Sequence, residues 1–255
     1  MKITLIGAGN LATNLGAALH QAGHLIQQVY SRTEESASRL GRLLEAPWTT
    51  DMAQINSESD VYILSVKDSV LQELADQLLV PPTSLVLHTA GSMSIDTLPQ
   101  KHRGVLYPMQ TFSKTRLVNF REIPCFLETA EAEDMGLLRE LAGSFSDRLY
   151  TLTSEQRRYL HLSAVFACNF VNHCYDLSAQ ILAQHDIPFQ VMLPLIDETA
   201  RKVHALTPNE AQTGPAVRWD ENVIARQIYL LRDNPTIQHI YEEMSESIHE
   251  SHTKK

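Results

Sequence analysis

One short motif near the amino terminus constrains this chain more than any other feature. The sequence Gly-Ala-Gly-Asn-Leu-Ala at residues 7–12 directly follows a β-branched run at Lys2–Ile6 and opens a helical pattern. Gly7 permits a tight turn, Gly9 lets the backbone approach a pyrophosphate, and Ala12 keeps the helix close to a sheet. Free backbone amides at the start of that helix then face the anion. The motif in this context predicts a parallel α/β fold that binds a dinucleotide.

The two halves of the chain have different periodicity. Up to about residue 152, short apolar runs alternate with helical patterns, which predicts a Rossmann-type, doubly wound and mostly parallel sheet. From Thr153 onward no strand pattern recurs, and Thr153-Ser154-Glu155-Gln156 has the spacing of a capping box at a helix start. The long helix predicted from this start runs to about Gln184. The sequence therefore predicts a dinucleotide-binding domain at 1–152 and an all-helical domain at 153–255. The predicted strands are Lys2–Ile6, Leu25–Tyr30, Asp60–Val66, Ser84–His88, Gly104–Tyr107, Pro124–Leu127 and Arg148–Leu152.

The helical half contains a segment that one chain of this size covers poorly. Leu160–Val171 is apolar on nearly every helical face, so it must be surrounded by protein. It is therefore either a central helix or a helix shared with a second subunit, and we expect a homodimer formed by this half. Beyond about Glu246 the sequence predicts a frayed, solvated terminus. Further helices are predicted near Phe189–Ala205, Pro215–Leu231 and Pro235–Ser247.

Composition excludes several classes of function. The formal net charge of −9 argues against duplex DNA or RNA as a partner, because phosphate repulsion would not be offset. The longest apolar-rich stretch falls well short of the roughly 20 residues that a membrane span needs. The three cysteines, Cys125, Cys168 and Cys174, form no CxxC pair, which suits a reducing, cytoplasmic setting. Cys168, Cys174 and His173 lie on one helix without the spacing of a zinc motif, so no metal site is expected.

The end of the second strand predicts which dinucleotide binds. An NAD site usually places a carboxylate there for the ribose 2′-hydroxyl, whereas this chain has Ser31, Arg32 and Thr33. Arg32 and the two hydroxyls suit a 2′-phosphate, so NADP (NADPH) is the expected cofactor. The alternative is that Arg32 only solvates this loop and pairs with Glu34 or Glu35. The full set of expected cofactor contacts is Gly7, Ala8, Gly9, Asn10, Leu11, Ala12, Ser31, Arg32, Thr33, Val66, Thr89 and Gly91.

These motifs resemble a known family. The amino-terminal half is similar to the NADP-binding domain of pyrroline-5-carboxylate reductases and deazaflavin-dependent NADP oxidoreductases, and the remainder resembles a helical domain that accompanies it in bacterial NADP oxidoreductases. The resemblance implies a domain arrangement like that of 6-phosphogluconate dehydrogenase, and it supplies no substrate. The chain departs from the family's usual pattern at Ala90, where Ser is usual, and at Trp219, where Gly is usual. The segments that carry the resemblance are Gly7–Gly16, Ser31–Thr33, His88–Ser92, Pro108–Ser113, Tyr159–Phe170 and Thr213–Asp220.

Hydride transfer to a C=O or C=N bond needs a proton donor for the heteroatom and groups that hold the substrate over the nicotinamide ring, and three residues are candidates for these roles. His161 lies near the start of the long helix, where the second domain should face the cofactor cleft, and histidine titrates near neutral pH. Asn169 lies two turns further along and could orient a substrate, or else form a polar bridge between helices. His88 is a rival proton donor at the end of a strand. Each histidine could instead be a buried structural residue.

Substrate contacts are expected from two further places. Gln110 and Thr111, together with Tyr107 and Ser113, follow the sixth predicted strand and are candidates to line the cavity. Arg218 is either a salt-bridged residue at a helix start or an anchor for a carboxylate or phosphate. The sequence thus predicts an NADP-dependent reductase of a small carbonyl or imine compound. The alternatives are a catalytically silent NADP-binding sensor or scaffold, and a transferase or lyase that retains its dinucleotide.

Overall fold

The computed structural model describes residues 1–253 and divides the chain into two compact units. The first runs from Met1 to Val165, and the second begins at Phe166. The predicted boundary at 152/153 marks the change from strands to helices, but the first helix of the helical half belongs to the first unit. The reason is a set of polar contacts, because Ser154 and Arg157 on that helix both bond the side chain of Glu128 on a strand.

An eight-stranded sheet forms the centre of the first unit, in the order β3-β2-β1-β4-β5-β6-β7-β8. All neighbouring strands are parallel except β6 and β7. This is the doubly wound, mostly parallel sheet that the sequence predicts, with one additional short strand, β3. The strands are β1 Lys2–Ile6, β2 Leu25–Tyr30, β3 Trp48–Thr49, β4 Val61–Leu64, β5 Leu85–His88, β6 Arg103–Pro108, β7 Cys125–Thr129 and β8 Leu149–Thr151.

Helices cover both faces of this sheet. Alternate strand residues point to opposite faces, so that Ile63 packs with one core cluster and Leu64 with the other. The first cluster takes residues from the helices at 10–21, 34–43 and 134–143, and the second takes Leu71 and Ala75 from the helix at 68–77. The strands are apolar on both sides because both faces are buried. The helices of the first unit are α1 Asn10–Gln21, α2 Glu34–Leu43, α3 Asp68–Gln77, α4 Asp134–Gly143 and α5 Ser154–Ala164.

The second unit is helical and has a thin core of its own. The predicted long helix is interrupted by a π-helix at Val165–Phe170. The predicted Pro215–Leu231 helix breaks at Trp219. The backbone φ of Trp219 is 52°, in the left-handed region that favours the glycine usual at this position in the family. The terminus predicted to be frayed is helical as far as Thr253, so that prediction was wrong. The helices are α6 Val171–Ala183, α7 Leu193–Lys202, α8 Pro208–Ala211, α9 Pro215–Arg218, α10 Glu221–Leu230 and α11 Pro235–Thr253.

Few apolar side chains of the second unit are buried. Among its described residues only Ala216, Ile224 and Ile237 are buried hydrophobics. Phe166 is 62% exposed and Phe170 50% exposed, so the single chain does not cover the apolar helix that the sequence singled out. Sharing with a second subunit is the alternative that stays open. Across residues 1–253, none of the helices has the length and apolar character required for a membrane span.

Candidate active site

The predicted cofactor residues gather at one edge of the sheet. Strands β1, β2, β4, β5 and β6 are mutually parallel, so the loops that follow them all lie at the carboxyl edge. Ligands of doubly wound sheets bind in the crevice outside this edge. The loops carry, in spatial order, residues 31–33, 7–12, 65–67, 89–94 and 109–111.

The glycine loop has the geometry that a dinucleotide needs. Gly7 has a φ of +118°, and a Cβ there would lie 2.1 Å from the carbonyl oxygen of Ser65, so a side chain is excluded. A Cβ on Gly9 would meet nothing within 4 Å, which leaves open space in front of the first turn of α1. Asn10 begins that helix and is exposed, while Ala12 is fully buried against the sheet. A diphosphate can therefore come close to the backbone at Gly9 and face the unobstructed amides of the first turn of α1.

Arg32 is exposed and lies two residues after the end of β2. It forms no ion pair within residues 1–253, so neither Glu34 nor Glu35 neutralises it there. Thr33 occupies the N-cap position of α2 but its hydroxyl makes no capping bond. An unpaired guanidinium beside a hydroxyl that makes no capping bond fits a 2′-phosphate better than the alternative of a salt-bridged surface arginine.

The surroundings of His88 fit a structural residue, which is the alternative given for it, better than the predicted proton donor. Its side chain is fully buried, Nδ1 accepts a hydrogen bond from the backbone N–H of Ala90 at 3.2 Å, and Nε2 therefore donates to the Ser94 carbonyl at 3.2 Å. Burial, and secondly the positive charge of Arg157, lower the pKa of His88 to about 4. Both ring nitrogens are thus occupied in holding the 88–94 loop.

A buried arginine, missed in the sequence, fixes the same loop. Arg157 on α5 is 1% exposed and donates to the carbonyl oxygens of Ala90 at 3.3 Å and Met93 at 2.5 Å. Its guanidinium also forms an ion pair with Glu128 on β7. The arginine therefore connects the loop after β5 to a strand and to a helix. A charged residue one turn past a capping box is ordinary on a helix surface, so the sequence carried no signal for this role.

His161 and Tyr107 form the candidate catalytic pair. The Tyr107 hydroxyl lies 3.0 Å from Nδ1 of His161, and burial raises the pKa of Tyr107 above its usual value. Gly91 packs against both rings, because a Cβ there would lie 2.6 Å from His161 Nδ1 and 3.0 Å from Tyr107 Cζ. The pair therefore lies beside the loop after β5, at the cofactor edge. Tyr107 was expected only to line the cavity, and its contact with His161 depends on tertiary structure.

The remaining predicted residues of the first unit lie at the same edge with different environments. Thr89 is buried, and its backbone N–H bonds the Leu64 carbonyl at 3.2 Å. Val66 is half-buried after β4. Gln110 and Thr111 are exposed after β6, and the Gln110 side-chain oxygen accepts from the Thr111 N–H at 2.9 Å. Their roles stay predictions.

Two predicted residues belong to the second unit. Asn169 is exposed within the π-helix. Arg218 donates to the Gly214 carbonyl at 3.3 Å and lies 3.7 Å from the carboxylate of Asp220, which is the salt-bridged alternative given for it. Groups of three or more potential metal ligands do not occur within residues 1–253.

Comparisons with known proteins agree with this geometry. Residues 2–91 match the family described as NADP oxidoreductase, coenzyme F420-dependent, and residues 123–248 match a domain of unknown function (DUF2520). The chain is 52% identical to a Bacteroides fragilis protein assigned as an NADP oxidoreductase, with 98% of each chain covered and a TM-score of 0.91. No protein of curated function matches.

Two more distant structures share the fold. An imine reductase from Myxococcus stipitatus in complex with NADP+ is 15% identical, with 98% of this chain and 94% of that chain covered and a TM-score of 0.71. A 1-pyrroline-5-carboxylate reductase from Streptococcus pyogenes is 14% identical, with 98% of each chain covered and a TM-score of 0.65.

Proposed function

The chain belongs to the NADP oxidoreductase family, and we propose that it reduces the C=N or C=O bond of a small compound, with His161 as the proton donor. NADP is the cofactor of this family, and in its reduced form it supplies the hydride. One observation carries the proposal, namely the Tyr107–His161 pair held against Gly91 at the cofactor edge of the sheet. A C=N substrate is favoured by the names of the two distant structures with this fold, an imine reductase and a pyrroline-5-carboxylate reductase.

The protein's own residues then have separable tasks. The open space at Gly9 and the amides of the first turn of α1 hold the diphosphate, and Arg32 binds the 2′-phosphate. As carbon gains the hydride, the heteroatom becomes basic and takes a proton from Nε2 of protonated His161. Tyr107 accommodates both states of the ring, because its hydroxyl accepts from Nδ1–H of the imidazolium and can also donate to an unprotonated Nδ1.

The first experiment separates catalysis from cofactor binding. NADPH oxidation is followed with a panel of aldehydes, ketones and cyclic imines, and NADPH binding is measured by calorimetry. His161→Ala is expected to lower kcat by about a hundredfold or more while the Kd for NADPH stays within about twofold. Tyr107→Phe should lower kcat with the same sparing of affinity. His204→Ala, an exposed histidine of the second unit, is the matched control.

Other outcomes separate the alternatives. Saturable NADPH binding by the wild type with no turnover on the panel would favour the silent sensor or scaffold. Turnover that survives His161→Ala would remove His161 from the reaction. Arg32→Ala is expected to weaken NADPH binding about tenfold or more and to leave NADH binding unchanged, since only NADPH carries the 2′-phosphate. An equal loss for both nucleotides would contradict that role.

We further propose that the second unit pairs with a second copy of this chain. The three buried hydrophobics among its described residues are too few for an independent core, while Phe166, Val191, Leu195 and Leu230 are each more than half exposed. A symmetric homodimer is the commonest way to cover such a surface. The thin core supports a permanent dimer over a transient partner, because permanent interfaces resemble a domain core cut in half.

Light scattering on the full chain tests the dimer. Wild type is expected to have twice the chain mass at micromolar concentration. Phe166→Asp should give monomers or loss of folded protein, whereas Leu79→Asp, on the first unit and 85% exposed, should remain dimeric. A wild-type monomer that keeps cooperative unfolding would refute the proposal.

A further inference from the structure

Asn14 connects the cofactor helix to a loop that the proposed mechanism does not use. Asn14 lies on α1, one turn after Asn10, and is 2% exposed. Its Nδ2 donates to the carbonyl of Asn10 at 2.9 Å and to the carbonyl of Ser113 at 2.8 Å. Its Oδ1 accepts from the backbone N–H of Val118 at 3.1 Å. All three partners fix the orientation of the amide, because a flipped group would place its oxygen against two carbonyls.

These bonds place the segment 110–118 beside the start of α1. The segment begins just after β6, at the cofactor edge of the sheet. The carbonyl oxygens of Asn10 and Ser113 both lie within 2.9 Å of one nitrogen, so Ser113 lies next to the first helical turn. Phe112 stacks on Phe120 at 5.6 Å and gives the segment a second attachment. A loop without regular structure is thus fixed against the turn that faces the diphosphate.

The segment carries a cation without a partner. Lys114, which follows Ser113, is half-buried, and within residues 1–253 its ammonium makes neither an ion pair nor a hydrogen bond. An ammonium without a partner in the protein is free to pair with the phosphate of a ligand. The first turn of α1 also lacks acidic residues, so nothing in that turn repels an anion.

We propose that Asn14 is a positioning residue for NADP and that the 110–118 segment it holds contributes Lys114 to the diphosphate site. The proposal rests on the NADP binding proposed above. Asn14 acts through the loop, since its own polar atoms are all occupied by the protein. Because both nicotinamide nucleotides carry the diphosphate, the effect must be the same for NADPH and NADH. Arg32, by contrast, acts on NADPH alone.

Calorimetric titration with NADPH and with NADH tests this. Lys114→Ala is expected to weaken both nucleotides about three- to tenfold, with a shallower dependence of Kd on salt, because one exposed charge pair is lost. Asn14→Ala should weaken both about tenfold and increase hydrogen–deuterium exchange of the peptide containing Val118. Lys101→Ala controls for charge, as Lys101 precedes β6 at the opposite edge of the sheet. Gln100→Ala controls for losing an amide that donates to a helix carbonyl.

Each outcome decides a different statement. Wild-type binding of NADPH together with unchanged affinity in Lys114→Ala and Asn14→Ala would overturn the positioning role and leave the proposed function intact. A change confined to the KM of the reducible substrate would also overturn it. Absence of saturable NADPH binding in the wild type would instead refute the proposed function. Lys114 is only half-buried and belongs to none of the core clusters of the described residues, so its variant remains informative if Asn14→Ala does not fold.

Discussion

His88 makes the stability of the first unit depend on pH, and the size of the effect can be worked from its surroundings. The imidazole is fully buried beside Arg157, and its pKa falls from 6.5 to about 4. In the unfolded chain the histidine titrates near its ordinary value, so between these two pH values the unfolded state binds a proton that the folded state does not. The free energy of unfolding therefore decreases as pH falls through this window.

Across the whole window the free energy of unfolding decreases by about 3 kcal/mol, because each unit of difference in pKa between the unfolded and folded states corresponds to about 1.4 kcal/mol. Between pH 7 and pH 5 the expected loss is about 2 kcal/mol. His88→Gln cannot take up this proton, so its stability should change less over the same range. Urea unfolding at pH 7, 6 and 5 measures the difference between wild type and variant, in which the titration of the other groups cancels.

The test compares how steeply the free energy of unfolding changes with pH in the wild type and in His88→Gln. His88→Gln is expected to be less stable at pH 7 because the bonds to Ala90 and Ser94 are altered, and this offset is irrelevant to the test. His204→Gln, at an exposed position, should follow the wild-type slope. Parallel wild-type and His88→Gln curves between pH 7 and 5 would refute the account and reopen His88 as a group that titrates near neutrality.

Two further substitutions test the site around this loop. Gly91→Ala would place a methyl group 2.6 Å from His161 Nδ1, so kcat is expected to fall by about a hundredfold, whereas Gly136→Ala, which meets nothing within 4 Å, should be silent in the same turnover assay. Arg157→Met should lower the free energy of unfolding, measured by urea titration, by about 3 kcal/mol because it removes the cation that pairs with the Glu128 carboxylate. Adding Glu128→Gln to this variant should restore part of the loss. Equal stability of the single and double variants would contradict a buried ion pair.

The sequence by itself determined the sheet and its cofactor edge. The strands and the glycine loop were predictable because their signals are local, namely short apolar runs, a φ that only glycine adopts readily, and the absence of a carboxylate after β2. His161 was also selected from the sequence, but on its position along the helix alone. Reasoning from neighbouring residues was wrong at the carboxyl terminus, because the polar residues beyond Glu246, which predicted a frayed end, continue helix α11.

Only the tertiary structure decided the surroundings of the polar residues at this edge of the sheet. His88 and His161 look alike in sequence, and only burial with two backbone partners for one, and a tyrosine hydroxyl for the other, separates them. Arg157 bonds Met93, 64 positions away in the chain, and Asn14 bonds Val118, 104 positions away, so neither periodicity nor spacing could indicate these contacts. Contacts at that separation exist only once the sheet has brought its loops to one edge, which is why they cannot be read from neighbouring residues.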